Sequence, residues 1–157
     1  MGYSTVALYY TIWPFWVDTH VDAPFSLQNG KVYDCNNRLV KLYRDVKLVF
    51  EDAKKLNIKI GIASRTSYTE EAQALMRLFN ISQLIEPGCC QIYPGCKKTH
   101  LHKISETTGI PYQRMIFFDD EHRNIVDCSK IGVFCIFVED GVSFSLWKHA
   151  LAKFAKS

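Results

Sequence analysis

The chain has 157 residues, 48% hydrophobic and 22% charged, with 19 Lys+Arg against 16 Asp+Glu for a formal net charge of +3. That length suits one domain with its own core, and the average globular usage excludes a disordered, collagen-like or coiled-coil chain. Three surplus positive charges are too few to argue for a nucleic-acid or membrane surface.

No segment reaches the ~18 apolar residues of a membrane span. The apolar run Val6–Val17 has no basic start, contains Pro14 and is followed by no small-residue cleavage site, so it is not read as a secretion signal. The six cysteines form no C-x-x-C pair and no zinc-like spacing. Reduced thiols in a cytosolic or nuclear protein are the expectation.

In chain order, Thr5–Tyr10 (TVALYY) reads as a β-branched and aromatic strand. Residues 11–38 read as irregular, with Pro14, Pro24 and an Asn29-Gly30 signal for a small hairpin. Asp45–Leu56 carries Val46, Val49, Phe50, Ala53 and Leu56 at helical spacing, with Asn57 as its stop. Ile58–Ala63 is a buried-type strand. Thr69–Phe79 is a helix with Thr69 as N-cap. A short strand falls within Leu84–Tyr93, and Thr99–Thr107 is a helix stopped by Gly109. Met115–Phe118 is a strand, Glu121–Ile131 a helix, Val133–Val138 a strand and Ser143–Phe154 a closing helix.

Strand–helix alternation predicts an α/β fold with a mostly parallel sheet and helices on both faces. Ligands of such sheets sit outside the carboxyl ends of the strands, which directs attention to the residues just past each one. Asp119, Asp120 and Glu121 follow the aromatic strand end Phe117-Phe118. Adjacent carboxylates repel and need a compensating cation, and a hard ion such as Mg²⁺ prefers their oxygens. Alternatively, Asp120 or Glu121 caps the next helix. Ser64-Arg65-Thr66 offers a hydroxyl, a guanidinium and backbone N–H groups suited to phosphate, or else is an ordinary turn with an exposed arginine. Lys97, ahead of a helix, is either a point charge for phosphate or, taken alone, a surface lysine.

A hydroxyl, a lysine and an acidic cluster, in that order at strand ends, resemble the haloacid dehalogenase (HAD) phosphohydrolases, specifically their eukaryotic magnesium-dependent phosphatases. The matching segments are YTIWPFWVDTHVDAPF (10–25), IASRTS (62–67), IYPGCKKTH (92–100), TGIPYQRMIFFDDEHRNI (108–125) and the stretch from Gly132 to Gly141. The resemblance implies a Rossmann-like three-layer α/β/α domain spanning 1–157, with only a minimal cap, a flap at about 12–42. It implies Ser64 as the phosphoryl-binding hydroxyl, Lys97 as the catalytic neutraliser of phosphate and nucleophile, and Asp119 and Asp120 on Mg²⁺; Arg65, from the reading of Ser64-Arg65-Thr66, joins Ser64 and Lys97 around phosphate.

It also exposes a departure. Aligning on Tyr10–Pro14 puts Ala7 at the family's nucleophilic aspartate and Tyr9 at its acid/base aspartate; Thr11 is retained. Ala7 has no lone pair for covalent catalysis. Tyr9, with an ordinary pKa of about 10, is a poor base near neutral pH. Mg²⁺ binding is expected to weaken with the loss of one carboxylate. Aspartates at positions 7 and 9 would remove two of the three surplus positive charges, so the basic balance largely reflects this change.

Three functions are compatible with these residues. The first is a catalytically impaired phosphatase-like protein that binds a phosphorylated small molecule or phosphoprotein. The second is an active Mg²⁺-dependent phosphomonoesterase, acting on phosphotyrosine or sugar phosphates through a different nucleophile. The third is a ligand-free interaction module using the aromatic segment Trp13–Trp16, which in an enzyme would line the mouth of the site.

Overall fold

The computed structural model describes residues 5–8, by their backbone, and 11–157. A five-stranded parallel sheet is built from β1 (Thr5–Leu8), β5 (Lys59–Ser64), β6 (Cys90–Ile92), β7 (Met115–Asp119) and β8 (Phe134–Phe137), in the order β6-β5-β1-β7-β8. The helices are α1 (Val46–Lys55), α2 (Thr69–Leu78), α3 (Lys97–Thr108), α4 (His122–Ser129) and α5 (Phe144–Phe154). This is the three-layer, Rossmann-like α/β/α arrangement read from the sequence.

Strand side chains alternate between faces and so divide the core in two. Ile60, Ile62, Ile116 and Phe118 pack with Val49 and Phe50 of α1, Leu75 of α2 and Trp147 of α5. Ala63, Met115 and Phe117 pack on the opposite side with Leu101 and Ile104 of α3 and Cys128 of α4. Gly61 in β5 permits close packing there: a Cβ would lie 3.0 Å from the Ile104 side chain and 3.3 Å from the Cys89 carbonyl.

Several local expectations are corrected. Residues 11–38 read as irregular but for a small Asn29-Gly30 hairpin; that hairpin is present as β2 (Ser26–Gln28) and β3 (Lys31–Tyr33), its turn in positive φ, and β4 (Leu39–Val40), just past the stretch, extends it to a three-stranded antiparallel sheet. Its hub is buried Asp34, whose carboxylate accepts from the Asn36 and Arg38 backbone N–H groups and from Arg38 Nε at 3.0, 2.9 and 2.7 Å. Burial raises the Asp34 pKa, but these bonds outweigh it and hold the group below the usual carboxylate range. Thr69 is the first residue of α2 rather than its N-cap; its hydroxyl donates to the Ile92 carbonyl at 2.8 Å, joining α2 to β6. Ser143 caps α5 by accepting from the Leu146 N–H at 3.1 Å. Among the described residues, no helix is long and apolar enough to cross a membrane.

Candidate active site

The sheet order places β1 between β5 and β7. Leu8 lies opposite both Ile62 and Phe118, so Ser64 and Asp119, the last residues of β5 and β7, flank the carboxyl end of β1. Ala7 is in β1, in register with Gly61 and Phe117; Tyr9 lies outside the described residues.

Lys97 opens α3 and is 1% exposed. Its Nζ donates to the Ala63 carbonyl at 2.6 Å and stands 3.5 Å from Asp119 Oδ2. Burial lowers the Lys97 pKa to about 7, against the opposing pull of Asp119. Burial also raises the Asp119 pKa, with Lys97 opposing. The start of α3 is fixed by His100, whose ring stacks on Tyr93 at 4.4 Å. Its nitrogens lie 2.9 and 2.8 Å from the Cys96 and Tyr93 carbonyls. Pinning that turn directs Lys97 inward, under the strand ends.

Asp119 Oδ1 accepts from the Glu121 N–H at 2.8 Å and from Asn124 Nδ2 at 3.1 Å. Among the described residues, Asp120 Oδ1 is buried without a hydrogen-bond donor, and buried Asp119 Oδ2 makes no hydrogen bond but faces the Lys97 ammonium at 3.5 Å. Burial, followed by the neighbouring Asp119 charge, pushes Asp120 up to about 6. Buried carboxylate oxygens that lack hydrogen bonds are costly and suit a hard cation that completes its shell with water. Asp119 and Asp120 thus fit Mg²⁺, which would supply positive charge beside a phosphoryl oxygen. Among the described residues no group of three or more His, Cys, Asp or Glu converges on one point.

Ser64 is nearly buried, and its Oγ accepts from the Thr66 N–H at 3.3 Å. Arg65 pairs with Glu121: one guanidinium nitrogen, Nη2, lies 2.6 Å from both carboxylate oxygens. Beside them opens a cavity of about 410 Å³, polar at Ser64, Arg65 and Glu121 and walled by Trp13, Phe15 and Met76. The Trp13 and Phe15 rings stack at 5.4 Å and are mostly buried, whereas Trp16 is exposed. Most of this aromatic segment is therefore cavity wall rather than a free docking surface.

Residues 6–157 match the Acid Phosphatase family. The chain belongs to that family. It is 45% identical over 149 residues to Magnesium-dependent phosphatase 1 of Homo sapiens, covering 94% of this chain and 84% of the relative. A HAD-like hydrolase superfamily protein of Schizosaccharomyces pombe is 34% identical over 126 residues, 73% of each chain. The fold is also that of 3-deoxy-D-manno-octulosonate 8-phosphate phosphatase from Moraxella catarrhalis, solved with magnesium, phosphate and KDO. There the TM-score is 0.53 and the identity 16%, covering 97% of this chain and 85% of that one.

In this member of the Acid Phosphatase family, the structure brings Ser64, Arg65, Lys97, Asp119 and Asp120 to one end of the sheet. Three simpler local readings are set aside. Lys97 is not a surface lysine, and it lies inside its helix rather than before it. Arg65 is not an exposed turn residue, since its side chain is 28% exposed and paired. Glu121 occupies the N-cap position of α4 but makes no side-chain cap bond. Two contributors escaped the sequence reading: Asn124, which orients Asp119, and Glu121 as the partner of Arg65. Asn124 had a usable signal, because five residues after Asp119 it falls in the first turn of the following helix.

Proposed function

We propose that the protein is a catalytically impaired, phosphatase-like member of this family that binds a phosphorylated small molecule or phosphoprotein. In this reading Ser64, Arg65 and Lys97 receive the phosphoryl group, Asp119 and Asp120 hold a weakened Mg²⁺ site, and the flap at about 12–42 is a minimal cap. The observation that carries it is the position of Ala7, in register between the two strands whose ends bear Ser64 and Asp119. A methyl group there can neither attack phosphorus nor ligate a metal.

The second reading is an active magnesium-dependent phosphomonoesterase. Its support is the 45% identity to a magnesium-dependent phosphatase together with the buried Asp119 and Asp120 oxygens that make no hydrogen bond among the described residues.

Turnover of an aryl phosphate and a sugar phosphate with Mg²⁺ separates the two, measured on the native protein and on the Ala7→Asp/Tyr9→Asp double variant. Turnover confined to the double variant supports the first reading. Equal turnover in both establishes the second and removes the first. A native protein and variant that neither turn over nor bind phosphate point to an interaction module.

A further inference from the structure

The rim of the site already holds an anion. Arg65 immediately follows β5 and Glu121 lies two residues beyond β7. Those strands flank β1, about 9–10 Å apart at two strand spacings. The 2.6 Å contact of Arg65 Nη2 with both Glu121 oxygens therefore runs across the carboxyl end of β1. Both residues line the cavity together with Ser64 and Thr66.

The Glu121 carboxylate makes no cap bond to the N-terminus of α4. The loop is tied by main-chain groups, with the Glu121 N–H on Asp119 Oδ1 and the Glu121 carbonyl accepting from the Asn124 N–H. The carboxylate also stands 3.6 Å from Arg123 Nη2, a second cation to which it can swing. With Arg65 28% and Glu121 39% exposed, the pair is screened by water and exchanges at low cost.

We propose that Glu121 is a built-in competitor for the phosphoryl group, its carboxylate occupying the Nη2 edge of Arg65 until a phosphorylated ligand displaces it. This rests on the phosphate-binding reading above and adds a regulatory element to it. The closed pair sets a threshold: a carboxylate entering the site gains no more from Arg65 than Glu121 already does, whereas a phosphate dianion gains more. Glu121 thereby biases the site against small carboxylates.

The test is calorimetric titration of inorganic phosphate, at fixed Mg²⁺, into the native protein and the E121Q, E121D and E139Q variants. Glu139 is an exposed acid just past β8 at the same end of the sheet, so E139Q makes the same charge change without touching Arg65. E121Q is expected to bind phosphate about five- to tenfold tighter. E121D, whose shorter arm loses the contact but keeps the charge, should move the same way, and E139Q should stay within about twofold of native. Native binding with E121Q no tighter than E139Q overturns this proposal and leaves the phosphate-binding reading standing. Failure of both native protein and E121Q to bind phosphate overturns the two together.

Discussion

Two ion pairs at the same end of the sheet behave as different devices because they differ in burial. Lys97–Asp119 is longer, at 3.5 Å, but its side chains are 1% and 0% exposed. Arg65–Glu121 is tighter, at 2.6 Å, yet 28% and 39% exposed. Distance alone would rank the rim pair stronger. Water reverses the ranking: the rim charges remain solvated when separated, while separating the inner pair leaves each charge in the dry interior without its counter-charge. The inner pair is thus suited to hold the floor of the site in place, and the outer pair is free to open.

Breaking the inner pair should have the largest effect. Lys97→Met strands the Asp119 carboxylate and is expected to cost about 3–5 kcal/mol in urea unfolding. Lys97→Met combined with Asp119→Asn should recover much of that loss, since the buried charge is then gone. A double variant no more stable than the single would mean that the pair is not what stabilises the floor. Asn124→Ala should come next, at about 1–3 kcal/mol, because Asp119 Oδ1 loses a side-chain donor while keeping the Glu121 N–H.

A pair on the far face sharpens the comparison. Asp52 accepts from Lys148 Nζ at 2.8 Å and Trp147 Nε1 at 2.7 Å. These bonds, Lys148 first, hold its pKa below the ordinary 3.8. Because the folded value lies below the unfolded one, this stability is present above pH 3.8 and is lost as pH falls through the folded value. Asp52→Asn should cost about 1 kcal/mol at neutral pH and flatten the acid limb of the stability curve. Glu121→Gln should have the smallest effect, under about 1 kcal/mol, with its main consequence in phosphate binding.

The sequence exposed the parts of this site that strand ends mark directly. Ser64-Arg65 after an apolar strand and Asp119-Asp120 after Phe117-Phe118 were legible because buried strands are near-continuous apolar runs and their polar ends stand out. The burial of Lys97 was not legible. It depends on the Tyr93–His100 stack and on packing between β5 and β7, both set by tertiary contacts. The three-stranded antiparallel sheet was visible only at Asn29-Gly30, since its strands are two or three residues long and its hub is a single buried carboxylate, Asp34. The Arg65–Glu121 pair joins residues 56 apart in sequence, and only the sheet order brings them together.

The proposed function requires phosphate-binding groups to persist around a β1 strand that carries Ala7 in place of a nucleophile. Its most direct measurement is mass spectrometry of the intact protein after incubation with an aryl phosphate and Mg²⁺, comparing native chain with Ala7→Asp. The restored carboxylate should be phosphorylated at position 7, and the adduct should accumulate because Tyr9 is a poor base for its hydrolysis. The native chain should show no adduct and no turnover. Turnover by the native chain at the rate of the Ala7→Asp/Tyr9→Asp variant would contradict the account.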